Sequence, residues 1–460
     1  MPGIRATSKS LIAISLTSRR VSPRTGAALQ WWAGIPTIEH GLGLNNPPLI
    51  PYLLALEISM LGFLIGGVVL AAATNAPGAT GTVHTLDKRT LSPAQVEATV
   101  TDLMAKGKVT GLGLALINNG EIVYLKAFGQ ANTEKAAPLT TQSSMYAASF
   151  TKAMFASMVM QLATEGKLNL DTPIAQYLPK PLPEYEKYAD LKNDPRWKMW
   201  TARILLSHTS GMPNFRFFTK KGFEPDHPLW IEFKPGSRYA YSGEGINLLQ
   251  FVLEAGLGLD VGVLMRERIF EPLGMTRTSM TWRDDFAIDL AQGYDEAGKL
   301  VGHNARRGVR AAGSADSTIH DMARFLQATL RQKTVAGKFW KEMVKPQIRI
   351  RSAHQFPTLD EATTTRNDGV QLSYGLGWGV LKTPHGRAFF KGGHDNGWEN
   401  YMIGFDKSGT GIVLMTNSSN GDSIFKELLA TLIGDTYTPW EWQGFIPWNA
   451  VGTPDAGPID

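Results

Sequence analysis

Strand-forming patterns lie at the two ends of the chain's body and are scarce between them, which is what most limits the fold. Towards the N-terminal end, residues 112–117 and 122–128 flank Asn118-Asn119-Gly120, a strong hairpin signal. Strand patterns return only beyond residue 373, at 377–381, 388–391, 398–405 and 411–416; Asp406-Lys407-Ser408-Gly409 joins the last two as a turn. From Asp171 to about residue 350 the chain reads as helices and loops. Helical periodicity covers 247–257, 261–270 and 318–330, while Pro179, Pro181 and Pro183 forbid regular structure around them. A two-stranded hairpin is not stable alone. One layer therefore has to be assembled from both chain ends, with a helical lobe inserted between. The expected architecture is α+β: an antiparallel sheet flanked by helices, an inserted helical lobe, and a cleft at the junction.

The most informative helix is predicted over 149–165. Phe150, Met154, Met158 and Leu162, with Ala153 and Val159 beside them, form an apolar stripe at helical period, and Gly166 stands where a C-terminal cap belongs. The pattern predicts an amphipathic helix with Ser149 in its first turn and one face buried. Ser149 and Lys152 are three apart, which places both side chains on one face, a turn from each other. At that end of a helix, backbone N–H groups and the dipole favour an alkoxide or oxyanion. A desolvated lysine there has a lowered pKa and can take the hydroxyl proton. Ser-x-x-Lys alone, however, is equally met by a capping serine and a surface lysine.

Composition narrows the alternatives. At 460 residues the chain has room for two domains, or one large domain with additions, and its 43% hydrophobic and 19% charged content is that of a globular protein. The absence of cysteine excludes a disulfide framework, thiolate metal sites and a cysteine nucleophile. Of the net charge of +5, much lies before Pro77, where Arg5, Lys9, Arg19, Arg20 and Arg24 face only Glu39 and Glu57. The remaining body is mildly basic with no basic run, so no nucleic-acid partner is expected. No histidine pair has ligand spacing, so no metal is expected; no cofactor is expected either.

Residues 49–73 are nearly all apolar apart from Glu57, and 58–74 is a clean run of 17 residues, the short limit for a spanning helix. The stretch from Met60 to Ala73 also resembles a signal h-region, with Ala71-Ala72-Ala73 as a small-residue cleavage site. All the positive charges before Pro77 precede it, which predicts an exported body, periplasmic or extracellular, cleaved or attached to a membrane through 49–74. The chain then divides into a loop-like extension expected to be poorly ordered (1–48), a signal peptide or membrane anchor (49–76), a linker (77–91), the body (92–438) and a Pro- and Trp-rich tail (439–460). Ser92-Pro93-Ala94-Gln95 opens the body with a capping box, and Val96, Val100, Leu103 and Met104 supply that helix's buried face.

Two further stretches complete a constellation. Pro235-Gly236-Ser237-Arg238-Tyr239-Ala240-Tyr241-Ser242-Gly243 leads into the helix near Asn247, and Lys391-Gly392-Gly393-His394 ends a strand. With Ser149-x-x-Lys152, the chain closely resembles the serine β-lactamase and penicillin-binding-protein superfamily. The nearest group is its class C-like branch, which also holds family VIII carboxylesterases and D-aminopeptidases. The likeness spans roughly 92–435. It includes Gly166-Lys167-Leu168-Asn169-Leu170-Asp171-Thr172-Pro173, Leu205-Leu206-Ser207-His208-Thr209-Ser210-Gly211-Met212, Pro272-Leu273-Gly274-Met275 and Tyr374-Gly375-Leu376-Gly377-Trp378.

The resemblance implies an acylated nucleophile at Ser149 and a proton-relay partner at Lys152. Tyr241 would be the general base, held as phenolate by Lys152 and Lys391. The backbone N–H groups of Ser149 and His394 would form an oxyanion hole, with Lys391 and Gly393 lining the substrate. A tyrosine, with a reference pKa near 10, needs such cations to act as a base at neutral pH. Tyr239 fits the pattern less well and reads as a packed aromatic; His208 reads as structural; Glu244, beside the base, is unusual and either pairs with a cation or faces solvent. Two departures stand out. Tyr241-Ser242-Gly243 lacks the amide, and Lys391-Gly392-Gly393 the hydroxyl, that class C β-lactamases carry at those places. What is implied is a serine hydrolase acting on a small ester, amide, peptide or β-lactam substrate, of esterase or D-amino-acid peptidase/amidase type. A true β-lactamase and a slow penicillin- or peptidoglycan-binding protein remain as alternatives.

Overall fold

The computed structural model describes residues 80–219 and 221–450. The stretch 1–48, expected to be a poorly ordered extension, and the stretch 49–76, expected to be a signal peptide or membrane anchor, lie outside the described residues. Among the described residues no single helix is long and apolar enough to cross a membrane.

Helix α1 (Pro93–Gly107) starts as its sequence dictates. The Ser92 side chain accepts from Gln95 N–H, the Gln95 side chain answers to the Ser92 backbone, and Pro93 takes the first helical position. The hairpin follows as β1 (Gly111–Asn118) and β2 (Glu121–Asn132), with β3 (Ala137–Pro138) at one edge. Six strands come from the C-terminal part: β4 (Ile348–Arg349), β5 (Ser373–Tyr374), β6 (Gly379–Thr383), β7 (Gly386–Asp395), β8 (Trp398–Phe405) and β9 (Thr410–Thr416). They form one antiparallel nine-stranded sheet in the order β4-β5-β6-β7-β8-β9-β1-β2-β3. The seam where the chain ends meet is β9 on β1, with Leu414 opposite Leu114.

Both faces of this sheet are covered, so β1 and β9 are apolar on both sides. Leu112, Leu114 and Leu116 pack with α1 and with the closing helix Phe425–Leu432, while Ala115 and Ile117 pack towards the helices Phe150–Thr164 and Ile319–Leu330. The C-terminal aromatics complete the first layer: Trp440, Trp442 and Phe445 are buried around Tyr401 and Phe425.

The helical lobe differs from its sequence pattern in detail. The proline-rich stretch carries 3₁₀ turns, Leu182–Glu184 and Glu186–Asn193, and the helix Gly243–Phe251 widens into a π-turn, Val252–Gly256. The larger correction concerns Phe150–Thr164, here α2. It is not amphipathic: every residue from Phe150 to Met160 is buried, Lys152 included. It lies between the sheet and the lobe, so solvent reaches it only near its C-terminus. Gly377 shows how close that packing is. Its φ of 85° is in the left-handed region and its N–H donates to Leu206 carbonyl (2.9 Å), while an added Cβ would collide with Ala156 of α2. Gly377→Ala is expected to lower unfolding free energy by about 2–4 kcal/mol in urea titrations, from the left-handed backbone and the overpacking together.

Candidate active site

Ser149 occupies the N-cap position of α2 but makes no side-chain capping bond. Its hydroxyl instead accepts from Lys152 Nζ at 3.0 Å, and it remains partly accessible while its neighbours Ala147, Ala148 and Phe150 are buried. The turn into the helix is forced: Ala148 has φ 46°, a left-handed conformation costing a non-glycine residue about 1–2 kcal/mol. Phe150 N–H and Thr151 N–H bond back to Ala147 and Ala148, whereas Ser149 N–H has no acceptor among the described residues. The serine is thus presented with a free backbone donor beside its hydroxyl.

Lys152 is 1% exposed, and its other partner is the carbonyl of Ala312. That turn is tied to the lobe by Ala311 N–H on Gln250 Oε1 (2.7 Å) and Ala312 N–H on Asn247 Oδ1 (3.1 Å). No carboxylate pairs with Lys152 among the described residues. Burial first, then the positive charges of Lys391 and Arg310, holds its pKa well below that of an ordinary lysine. The shift runs in the direction that a proton acceptor requires.

Tyr241 arrives on the segment preceding the helix Gly243–Phe251. That segment is bonded to the 208–214 stretch, through Ala240 N–H to His208 carbonyl (2.8 Å), Ser242 N–H to His208 Nδ1 (3.1 Å) and Ser242 Oγ to Pro213 carbonyl (2.8 Å). The His208 ring lies 4.3 Å from the Tyr241 ring and is fully buried, and burial holds it neutral. His208 is therefore a support for Tyr241. Tyr239 is packed against Tyr374 (5.3 Å) and Trp442 (6.0 Å). Glu244 is ion-paired with Arg216 at 3.3 Å.

Lys391 comes from β7 and donates to Tyr241 OH at 2.9 Å; its Nζ and that of Lys152 lie 4.7 and 4.9 Å from the Tyr241 ring centre. The pleat carries Gly393 to the same face. A Cβ there would come within 2.9 Å of Ala147 O and 3.2 Å of Ser149 N, so only glycine lets the strand approach this closely. His394 follows. Pairing of Gly386 with Thr383 and of Asp395 with Trp398 closes two-residue turns at both ends of β7. In an antiparallel ladder this alternation turns His394 N–H away from β8, towards the edge that β6 leaves open beside Ser149. The His394 ring lies on the other face, bonded to Glu399 and 5.2 Å from Phe445.

Burial raises the Tyr241 pKa, the contact with Ser149 only partly opposing it, and lowers Lys391 to about 7, so both shifts act against the phenolate that the resemblance implies. Removal from water penalises each ion more than its neighbours repay, so the resting site favours neutral groups. A stability consequence follows for Lys391. An unfolded lysine stays protonated to about pH 10.4, so between about pH 7 and 10 the unfolded state binds more protons and stability rises with pH. Lys391→Met is expected to be more stable than the native chain by a few kcal/mol below pH 7, the gain shrinking as pH approaches 10, in urea titrations at pH 6, 8 and 10.

Sequence reasoning missed the Ala312 carbonyl and the strained Ala148, since a backbone acceptor and a φ angle leave no letter in the sequence.

A sequence model of the Beta-lactamase family matches residues 96–433. A beta-lactamase of Pseudomonas fluorescens is 27% identical over 206 residues, covering 45% of this chain and 56% of that protein. A D-aminopeptidase of Gluconobacter oxydans is 22% identical over 354 residues, covering 75% of this chain and 63% of the relative. The chain thus spans roughly three-fifths of the length of both relatives. Among solved structures, the octameric penicillin-binding protein homologue from Pyrococcus abyssi superposes with a TM-score of 0.60 at 24% identity, covering 76% of this chain and 79% of that one. With the family match running from α1 to the closing helix, and so taking in Ser149, Lys152, Tyr241 and Lys391, the chain belongs to the Beta-lactamase family.

Proposed function

We propose that the protein is a serine hydrolase that cleaves ester or amide bonds through an acyl-enzyme on Ser149. The observation that carries this is the convergence of Ser149 Oγ, Lys152 Nζ, Tyr241 OH and Lys391 Nζ from α2, the lobe and the sheet. Lys152, its pKa lowered by burial, takes the Ser149 proton in its neutral form as Oγ attacks the substrate carbonyl. The N–H groups of Ser149 and His394 receive the oxyanion. As the tetrahedral intermediate collapses, the carbonyl–oxygen or carbonyl–nitrogen bond breaks, and the proton passes from Lys152 through Tyr241 to the leaving group. Lys391 donates to Tyr241 OH and orients it for that transfer. Water then attacks the acyl group by the reverse relay and releases the acid.

Esterase or D-amino-acid peptidase/amidase action is favoured over β-lactam hydrolysis, because Gly243 and Gly392 supply no side chain to hold a β-lactam. The D-aminopeptidase likeness is compatible with the amidase side of this choice. The test is a panel of short-chain p-nitrophenyl esters, D-amino-acid p-nitroanilides and nitrocefin, with Ser149→Ala as control. Turnover of esters or anilides that Ser149→Ala abolishes is the expected result. Efficient turnover of nitrocefin alone would support the β-lactamase instead, and a persistent adduct without turnover would support the slow binding protein.

A further inference from the structure

Ser242 is extended (φ −136°, ψ 113°), so the side-chain directions of Tyr241 and Gly243 fall on the same side of the segment. A Cβ at Gly243 would meet Asn214 O and Phe215 Cε1 at 2.8 Å and Asn214 Oδ1 at 3.1 Å. The space beside Tyr241 is therefore occupied by a different stretch of chain. That stretch is clamped on both sides of Phe215. Gly243 N–H donates to Asn214 Oδ1 (3.0 Å) and Glu244 N–H to Asn214 carbonyl (2.9 Å). One residue past Phe215, Arg216 N–H donates to Glu244 Oε1 (3.1 Å) and its guanidinium to Glu244 Oε2 (3.3 Å). Glu244, the unusual acid beside the motif, thus anchors the loop that carries Phe215. Phe217 stacks on Phe215 with centroids 5.5 Å apart and planes 5° from parallel, which stiffens the wall further.

An aromatic from another part of the chain lies against Tyr241 itself. Phe356 lies edge-on to the Tyr241 ring, centroids 5.7 Å apart, and is 38% exposed. Large apolar side chains left accessible against a buried reactive group mark a surface that a ligand covers.

We infer that Phe215 and Phe356 form apolar walls of the substrate groove beside Tyr241 and Gly243, and that the group these walls receive is an aromatic or branched aliphatic one on the acyl side of the scissile bond. Asn214 and Glu244 are positioning residues that hold Phe215. This specificity rests on the acyl-enzyme reaction at Ser149 proposed above. Sequence alone showed only that a side chain was missing at Gly243, with no sign of what replaced it.

The experiment compares kcat/KM for p-nitrophenyl phenylacetate and p-nitrophenyl acetate. The native chain is expected to favour phenylacetate by about tenfold, the worth of one well-placed aromatic contact. Phe356→Ala should bring that ratio close to one, mainly through KM, and Phe356→Tyr should restore it. Because Phe356 is exposed, its replacement tests the groove without depending on the core, and Phe215→Ala gives a second arm. A ratio near one in the native chain, or one that neither alanine variant changes, overturns the inference while leaving the acyl-enzyme intact. No Ser149 adduct from either ester overturns the underlying reaction.

Discussion

Lys152→Met is expected to slow acylation of Ser149 by three to four orders of magnitude, about what loss of a positioned general base costs. The amine is 3.0 Å from Ser149 Oγ, lacks a carboxylate partner among the described residues, and has its pKa lowered by burial. Methionine retains most of the side-chain volume in a site that is 1% exposed, so the fold should persist. The measurement is the single-turnover release of p-nitrophenol, with melting temperature as the folding control. If Lys152 were a surface lysine beside a capping serine, the variant would acylate at the native rate. Tyr241→Phe separates the two relay groups, since it removes the hydroxyl on the leaving-group side while leaving the Lys152–Ser149 contact in place.

Gly393→Ala should lower kcat by about 100- to 1,000-fold with a smaller change in KM, the cost of displacing one oxyanion donor. The added methyl group would meet the Ala147 carbonyl at 2.9 Å and Ser149 N and Phe150 N at 3.2 Å. None of these is a flexible side-chain end, so β7 must draw away from the nucleophile turn and carry His394 N–H with it. A steady-state assay against a reactive ester reads the effect, and a variant with native kcat would show that this strand does not supply the oxyanion donor.

The contrast between Lys152 and Lys391 shows what could be learned from the sequence and what could not. Both were identifiable from their strings, and the sheet strands were marked by period-two or continuously apolar patterns; 388–391, which ends on Lys391, lies inside Gly386–Asp395, 398–405 coincides with Trp398–Phe405, and 112–117 lies inside Gly111–Asn118. Those patterns are local and set by burial on known faces, so they survive folding. Ionisation does not. That both lysines are driven towards neutrality depends on how completely the lobe and the sheet exclude water from α2, which no local pattern encodes. The same holds for the apparent amphipathicity of α2, lost because a second layer covers its polar face. At Gly243 the missing side chain was visible in the sequence, but its replacement by Phe215 was not, since it depends on a loop pinned by Glu244.

Ser149 alone is expected to become acylated. Treating the full chain with a fluorophosphonate probe and mapping the adduct by peptide mass spectrometry tests it most directly. A single adduct on the peptide carrying Ser149, absent from Ser149→Ala, is the predicted result; an adduct on any other residue, or one that persists in Ser149→Ala, would contradict it.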